Sequence, residues 1–228
     1  MPAWSREATY QYLGHRDYVH GSSMLLSMLE ALAEYAGREV FAPARIKMFK
    51  IINELTVQGL VECLPAAQAP AHPRLAQASA RLDLDTEKGG FTSLVLPQPG
   101  RPVSERVAAY DAGDYVERVE AGPGPKCRAR LTGINDFIDL LRGVVEANRQ
   151  LILQQSDEPQ KIQKMRWAYL ADFGILPDAD FSRALDIEFL PKIVVARDRN
   201  RFIVKTFRVP GWGDGFRADM CFSQQLSP

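Results

Sequence analysis

Cysteine is scarce in this chain: three in 228 residues, Cys63, Cys127 and Cys221. The number is odd and the spacing wide, which excludes a disulfide framework and points to reduced, packed thiols. Histidine is equally rare (His15, His20, His72), and no pair of these with each other or with cysteine has metal-ligand spacing, so no metal is expected. Net charge is lacking too. Twenty-eight basic residues balance 28 acidic ones, so no bulk field points to nucleic acid or to a membrane surface. No apolar run approaches a bilayer span, and Met1 to Leu13 holds no apolar core of signal-peptide length; the expectation is a soluble, cytoplasmic protein. What is present is 46% hydrophobic residues, over a length that fits one large domain or two small ones.

The most informative stretch is Val19-His20-Gly21-Ser22-Ser23 and the helix it opens. Met24, Leu25, Met28, Leu29, Leu32 and Ala36 recur at helical spacing, so a broad apolar face is buried. Ser22 or Ser23 is the expected N-cap and Gly37 the C-terminal stop. His20 and Gly21 then sit at the positive end of the helix, where backbone N–H groups face any anion or carbonyl oxygen.

Around this helix the chain reads as short strands. Ala8 to Leu13 is a candidate opening strand, and Arg45 to Ile52 and Leu55 to Leu64 read as antiparallel strands about an Asn-Glu turn. Pro65 to Pro73 reads as an exposed loop or a lid. Gln77 to Asp85 and Phe91 to Leu96 follow, with a break over Pro97 to Pro102 and no clear pattern over Val103 to Glu120. Gly122-Pro123-Gly124-Pro125 punctuates the middle. Cys127 to Thr132 is then strand-like, Asn135 to Leu153 a long helix capped by Asn135 or Asp136, and Pro159 to Asp172 a second helical stretch. The remaining strands fall at Ala184 to Leu190, Ile193 to Ala196, Phe202 to Val209 and Phe216 to Ser223. Hairpin turns are expected at Arg199-Asn200 and Trp212-Gly213-Asp214-Gly215. Arg197 to Arg201 is most simply a charged turn, with phosphate contact as the unspecific alternative.

The order strand, glycine, helix, antiparallel strands occurs twice. Placing Gly21 on Gly133 aligns Met28 with Leu140, Leu32 with Val144 and Glu34 with Glu146, which suggests an internal duplication. A long apolar helix followed by antiparallel strands resembles the hot-dog fold, and two units in one chain resemble a fused double hot dog. The implied class is α+β, with two long central helices, each wrapped by an antiparallel sheet, and the sheets joined into one. Residues 1–121 would form the first repeat and 122–228 the second, with a helical insertion. Val19-His20-Gly21 is similar to the VHGG opening of small acyl-CoA thioesterases, and Glu30-Ala31-Leu32-Ala33-Glu34 resembles the EALAQ helix of 3-hydroxyacyl-carrier-protein dehydratases. Ser22 replaces the second glycine of the thioesterase pattern, and the dehydratase HFPG loop is absent.

That resemblance implies an enzyme acting on an acyl thioester of coenzyme A or of acyl carrier protein, with no cofactor. Gly21 and Ser22 would supply donors to the thioester oxygen, with Asp17 in the adjoining loop, and His20 would orient the carbonyl or act as base. In the thioesterase register the carboxylate is Glu30. In the dehydratase register Glu34 has the spacing, and in a fused protein His20 would meet Glu146 of the second helix. Hydrolysis is slightly favoured over dehydration. Self-association is compatible with the pattern. The rival readings are a non-catalytic hot-dog protein binding an acyl ligand or a partner protein, with Glu30 and Glu34 on a solvated face and Asp17 and His20 fixing a loop, and a fold outside this family altogether.

Overall fold

The computed structural model describes residues 4–37, 44–122, 126–156, 159, 162–175, 181, 183–197, 200–210 and 217–226. The chain divides into two compact units, Met1–Tyr110 with Gly174–Pro177, and Asp111–Phe173 with Asp178–Pro228. Residues 123–125 of the Gly-Pro punctuation, Asp198 and Arg199 of the expected hairpin turn, and the Trp212 to Gly215 turn lie outside the described residues. Among the described residues no helix is long and apolar enough to cross a membrane.

The first unit runs β1 (Trp4–Ala8), β2 (Tyr12–Leu13), α1 (Gly21–Ala36), β3 (Ala44–Ile51), β4 (Val57–Pro65), β5 (Ala80–Thr86), β6 (Gly89–Pro102) and β7 (Arg106–Val107). Five of these strands form an antiparallel sheet in the order β1-β4-β6-β5-β3, while β2 and β7 form a short parallel pair. Helix α1 packs on β1, β4, β5 and β6. Register defines the face beneath it. Cys63 pairs with Ser93, Ser93 with Leu82 and Leu82 with Phe49, and this row together with Val61, Val95, Ala80 and Ile46 is buried. Gly37 ends α1 at φ 93, a left-handed angle that glycine adopts without strain, with its N–H on Ala33 O at 3.1 Å.

The opposite face of this sheet is also covered. Pro65 to Pro73 is not an open loop: Ala66–Ala71 and Leu75–Gln77 form 3₁₀ turns lying on β4 and β6. Leu60 and Leu75 pack there against Ala78, Leu94 and Leu96. His72 and Arg74 from this segment both meet the carboxylate of Glu62, which is only 6% exposed.

The second unit runs β8 (Val116–Ala121), β9 (Cys127–Leu131), α2 (Phe137–Gln154), β10 (Ile162–Ile175), β11 (Leu185–Arg197), β12 (Asn200–Arg208) and β13 (Arg217–Leu226). Its antiparallel order is β10-β13-β12-β11-β9-β8. Leu131 lies against Gly143 of α2, and Cys127, Ala129, Ile187, Phe189, Phe207, Met220 and Phe222 continue that buried face. Gly133 is obligatory before α2: φ is 64, and a Cβ would stand 2.4 Å from Asp114 O. Asp136 caps α2, accepting from Asp139 N–H at 2.8 Å.

Several expectations need correction. The helical stretch expected from Pro159 to Asp172 is a strand over its described part: residues 162–175 form β10. Register shifts between Ile162 and Lys164 and between Trp167 and Tyr169 disturb the two-residue alternation and give its apolar residues a helix-like spacing. The opening strand is Trp4–Ala8, upstream of the Ala8 to Leu13 reading, and β3 and β4 are not a hairpin, because β6 and β5 lie between them. Pro97 to Pro102 continues β6 past a bulge between Val57 and Gly59 of its partner, which accommodates the prolines. The break between Leu190 and Ile193 is likewise a bulge within β11. The helices themselves align on their first residues, Gly21 and Phe137. Met24, Leu25, Met28 and Ala31 then match Leu140, Leu141, Val144 and Ala147, all buried, and Glu30 rather than Glu34 matches Glu146. The Gly21-on-Gly133 placement was one helical turn out, since Gly133 lies four residues before α2 begins.

Candidate functional site

His20, not Ser22 or Ser23, caps α1. Its backbone is extended (φ −70, ψ 144), and its Nδ1 accepts from Ser22 N–H at 3.4 Å while standing 2.8 Å from Ser22 Oγ. Its carbonyl accepts from Ser23 N–H at 3.1 Å and Met24 N–H at 3.2 Å. Two of the orphan donors of the helix terminus, Ser22 N–H and Ser23 N–H, are therefore satisfied by His20 itself. Gly21 and Ser22 are buried, and the imidazole meets Tyr110 edge-on at 6.1 Å. With Nδ1 accepting from a backbone N–H, the neutral ring carries its proton on Nε2.

The loop leading to His20 is tied down by Arg106 of β7, a residue the sequence reading passed over. Its guanidinium donates to Gly14 O at 2.5 Å and to Arg16 O at 2.8 Å, lies 5.3 Å from the centre of the Tyr12 ring, and reaches Asp17 at 3.3 Å. Val19 N–H donates to Leu55 O at 2.8 Å. His20, Gly21 and Ser22 are thus brought together as expected, whereas the Asp17 side chain is 90% exposed beside Arg106.

The three helix carboxylates have different fates. Glu30 and Glu34 are each about half exposed and share Arg6, 3.7 Å from Glu30 and in direct contact with Glu34. Ten residues of helix put Glu30 about 15 Å along the axis from His20. Glu146 is 7% exposed, held by Arg149 through both oxygens (2.8 and 2.6 Å) and by Gln150 Nε2 at 3.2 Å.

Around α2 lie polar groups that no motif announced. Asn148 and Gln224 are buried (0% and 1% exposed), and neither amide atom of either is hydrogen-bonded among the described residues. Lys205 of β12 is 4% exposed, and its Nζ donates to Gln155 Oε1 at 3.3 Å; Gln155 Nε2 in turn donates to Cys127 Sγ at 3.0 Å. Burial pushes the Lys205 ammonium below the usual lysine range, with the Cys127 thiol pulling the other way. The signal for Lys205 was a lysine at an inward position of an otherwise alternating strand, Ile203-Val204-Lys205-Thr206-Phe207. Among the described residues no cluster of three or more His, Cys, Asp or Glu could hold a metal ion.

No family model and no curated protein matches the sequence. Solved structures do match. The dehydratase domain from the CurJ module of curacin polyketide synthase superposes with TM-score 0.52 at 10% identity, over 99% of this chain and 91% of that one. The bifunctional dehydratase-cyclase domain in ambruticin biosynthesis gives 0.51 at 12% identity, over 92% and 82%. GphF dehydratase 1 gives 0.50 at 8% identity, over 99% and 94%. The fold is of hot-dog type. At these identities the likeness carries the hot-dog architecture, and the chemistry rests on the residues described above.

Proposed function

We propose that the chain is a double hot-dog protein, with α1 and α2 as its two central helices, that processes acyl thioesters by removing water from a 3-hydroxyacyl group. The observation carrying this choice is the contrast among the carboxylates: Glu146 is enclosed and hydrogen-bonded, while Glu30 and Glu34 face solvent with Arg6. Hydrolysis in the thioesterase register would rest on Glu30, which is about half exposed beside Arg6. The fold shared with dehydratase domains supports the same reading.

In this reading the Nε2–H of His20 donates to the thioester carbonyl oxygen, favouring charge build-up there as the α-proton leaves. Glu146 is the second-unit carboxylate that this reading assigns as a base, since each oxygen held by Arg149 keeps a further lone pair. The C–O bond at the β-carbon breaks as the C=C bond forms, and the departing hydroxide takes the proton from Glu146 as water. The natural test follows enoyl absorbance and thiol release separately on 3-hydroxyacyl-CoAs of increasing chain length. Enoyl product without thiol is expected, with Glu146→Gln and His20→Ala each lowering the rate by about 10²–10⁴-fold. Thiol release that survives Glu146→Gln would overturn the dehydration reading.

A non-catalytic acyl binder is the second reading, favoured by the way His20 spends its Nδ1 and carbonyl on its own helix. Retained acyl-CoA binding with no turnover on either readout would establish it.

A further inference from the structure

Lys205 presents an unusual balance of forces. Its amine is withdrawn from water on a sheet face shared with Ile203 and Phe207, beside Met220 of the neighbouring strand. Among the described residues its hydrogen-bond partner is a neutral amide, that of Gln155. A buried ammonium without a counter-charge costs several kcal/mol, and that cost falls away when the nitrogen is neutral. A desolvated amine in an apolar wall is also the usual environment of a nucleophilic lysine.

Three elements converge to orient this amine: β12 supplies Lys205, the C-terminal end of α2 supplies Gln155, and the start of β9 supplies Cys127. Because Gln155 Nε2 is committed to Cys127 Sγ, its Oε1 faces Lys205 and takes one N–H. Holding that N–H turns the nitrogen lone pair of the neutral amine away from Gln155. Gln155 is itself exposed, so the amine lies one side-chain rotation from solvent.

We propose that Lys205 is a nucleophilic acyl acceptor that takes an acyl group from an acyl thioester. The choice of thioester as donor rests on the function proposed above. Neutral Nζ attacks the thioester carbonyl carbon and a C–N bond forms. The C–S bond breaks with its electron pair on sulfur, and the proton lost from nitrogen goes to the departing thiolate. The products are an amide at Lys205 and a free thiol, and no oxidant or reductant is needed.

The test uses the full chain and S-acetyl-N-acetylcysteamine, a small acetyl thioester, with acetylation rates at each lysine read by peptide mass spectrometry. A lowered proton affinity makes the neutral amine more abundant, so Lys205 should be labelled faster than exposed Lys47 near neutral pH. The Lys205 rate should level off at a lower pH than that of Lys47. Gln155→Ala should raise the Lys205 rate by uncovering the amine, without changing Lys47. Labelling of Lys205 no faster than Lys47 in both the parent and Gln155→Ala would overturn the proposal. Turnover of thioesters without labelling would sink this inference alone, whereas labelling without turnover would sink the enzymatic reading and leave this one standing.

Discussion

The two units use the same device, a helix laid on an antiparallel sheet, but they fill the space between differently. Under α1 the sheet presents Val61, Cys63, Val95, Leu82 and Phe49, with Ser93 as its polar member, bonded to Cys63. The α1 carboxylates stay outside. Around α2 the buried set includes Glu146, Asn148, Lys205 and Gln224 among the apolar residues. Where α1 has Leu32, α2 has Asn148 with both amide atoms unbonded among the described residues. Burying polar groups costs stability that packing must supply elsewhere. The difference lies beneath the helices, since the buried polar cluster of the first unit, Glu62 with His72 and Arg74, sits on the other face of its sheet.

The sharpest way to break this contrast is to damage the dry side. Met28 is fully buried at the middle of α1, so Met28→Ala should destabilise by about 2–5 kcal/mol in chemical denaturation. A cost below about 1 kcal/mol would mean that the first unit is not tightly packed. Leu29, expected from periodicity to be buried, is only half-buried, and Leu29→Ala should cost less than Met28→Ala.

Alkaline pH probes the same contrast with the sign set by burial. In the first unit burial pushes the Cys63 thiol and the Tyr10 phenol each up to about 12. Both resist ionising in the folded state, so their contribution is complete below the unfolded values and is lost as pH rises from about 9 towards about 12. Cys221 in the second unit, pushed up to about 11, acts in the same direction. Lys205 acts in the opposite one. Its neutral form is favoured in the fold, so its contribution is present above the unfolded lysine value and is lost as pH falls through its lowered value. Alkaline unfolding should therefore be led by the first unit. Tyr10→Phe with Cys63→Ala should recover up to about 6 kcal/mol of the stability lost between neutral pH and the top of that window. An unchanged alkaline slope would show that these groups do not control it.

Asn148→Leu makes the second helix resemble the first. Replacing an unbonded buried amide by an apolar side chain should stabilise the protein by about 1–3 kcal/mol, read as a higher denaturation midpoint at unchanged slope. A loss of stability would mean that Asn148 has a polar partner in solution and that the interior of the second unit is wetter than its side chains alone suggest.

How much of this was legible in sequence depended on periodicity. Both long helices and most strands followed from it, because one face of each element is buried and the other is not. Bulged β10 escaped, since register shifts erase the alternation that identifies a strand. The site was legible where a local motif carried it: His20, Gly21 and Ser22 adjoin in sequence and stay adjoining in space. Arg106 and Gln224 were not legible, because strand pairing between distant segments brings them in, while Lys205 showed only as a lysine at an inward strand position and Asn148 only as a polar residue on a helix. Exposure was the harder part. Glu30 and Glu146 occupy matching helical positions, yet Glu30 faces solvent beside Arg6 while Glu146 is enclosed and held by Arg149 and Gln150 of its own helix.

The smallest expected effect is the one that decides between registers. Arg6 sits at the surface between Glu30 and Glu34, with side chains 39 to 52% exposed, so the trio is solvent-screened. Arg6→Ala should cost less than about 1 kcal/mol, as exposed ion pairs do. Glu30→Gln should leave both stability and enoyl formation within a few-fold of the parent, while Glu146→Gln removes activity. Glu30 lies on the same helix as His20 but about 15 Å along its axis, and a carboxylate at that separation does not share a reacting atom with the imidazole. If Glu30→Gln instead abolished turnover while Glu146→Gln did not, the catalytic carboxylate would belong to the first unit. The hydrolytic register would then be restored, and the polar interior of the second unit would need another explanation, of which the reactive amine of Lys205 is the one already open to test.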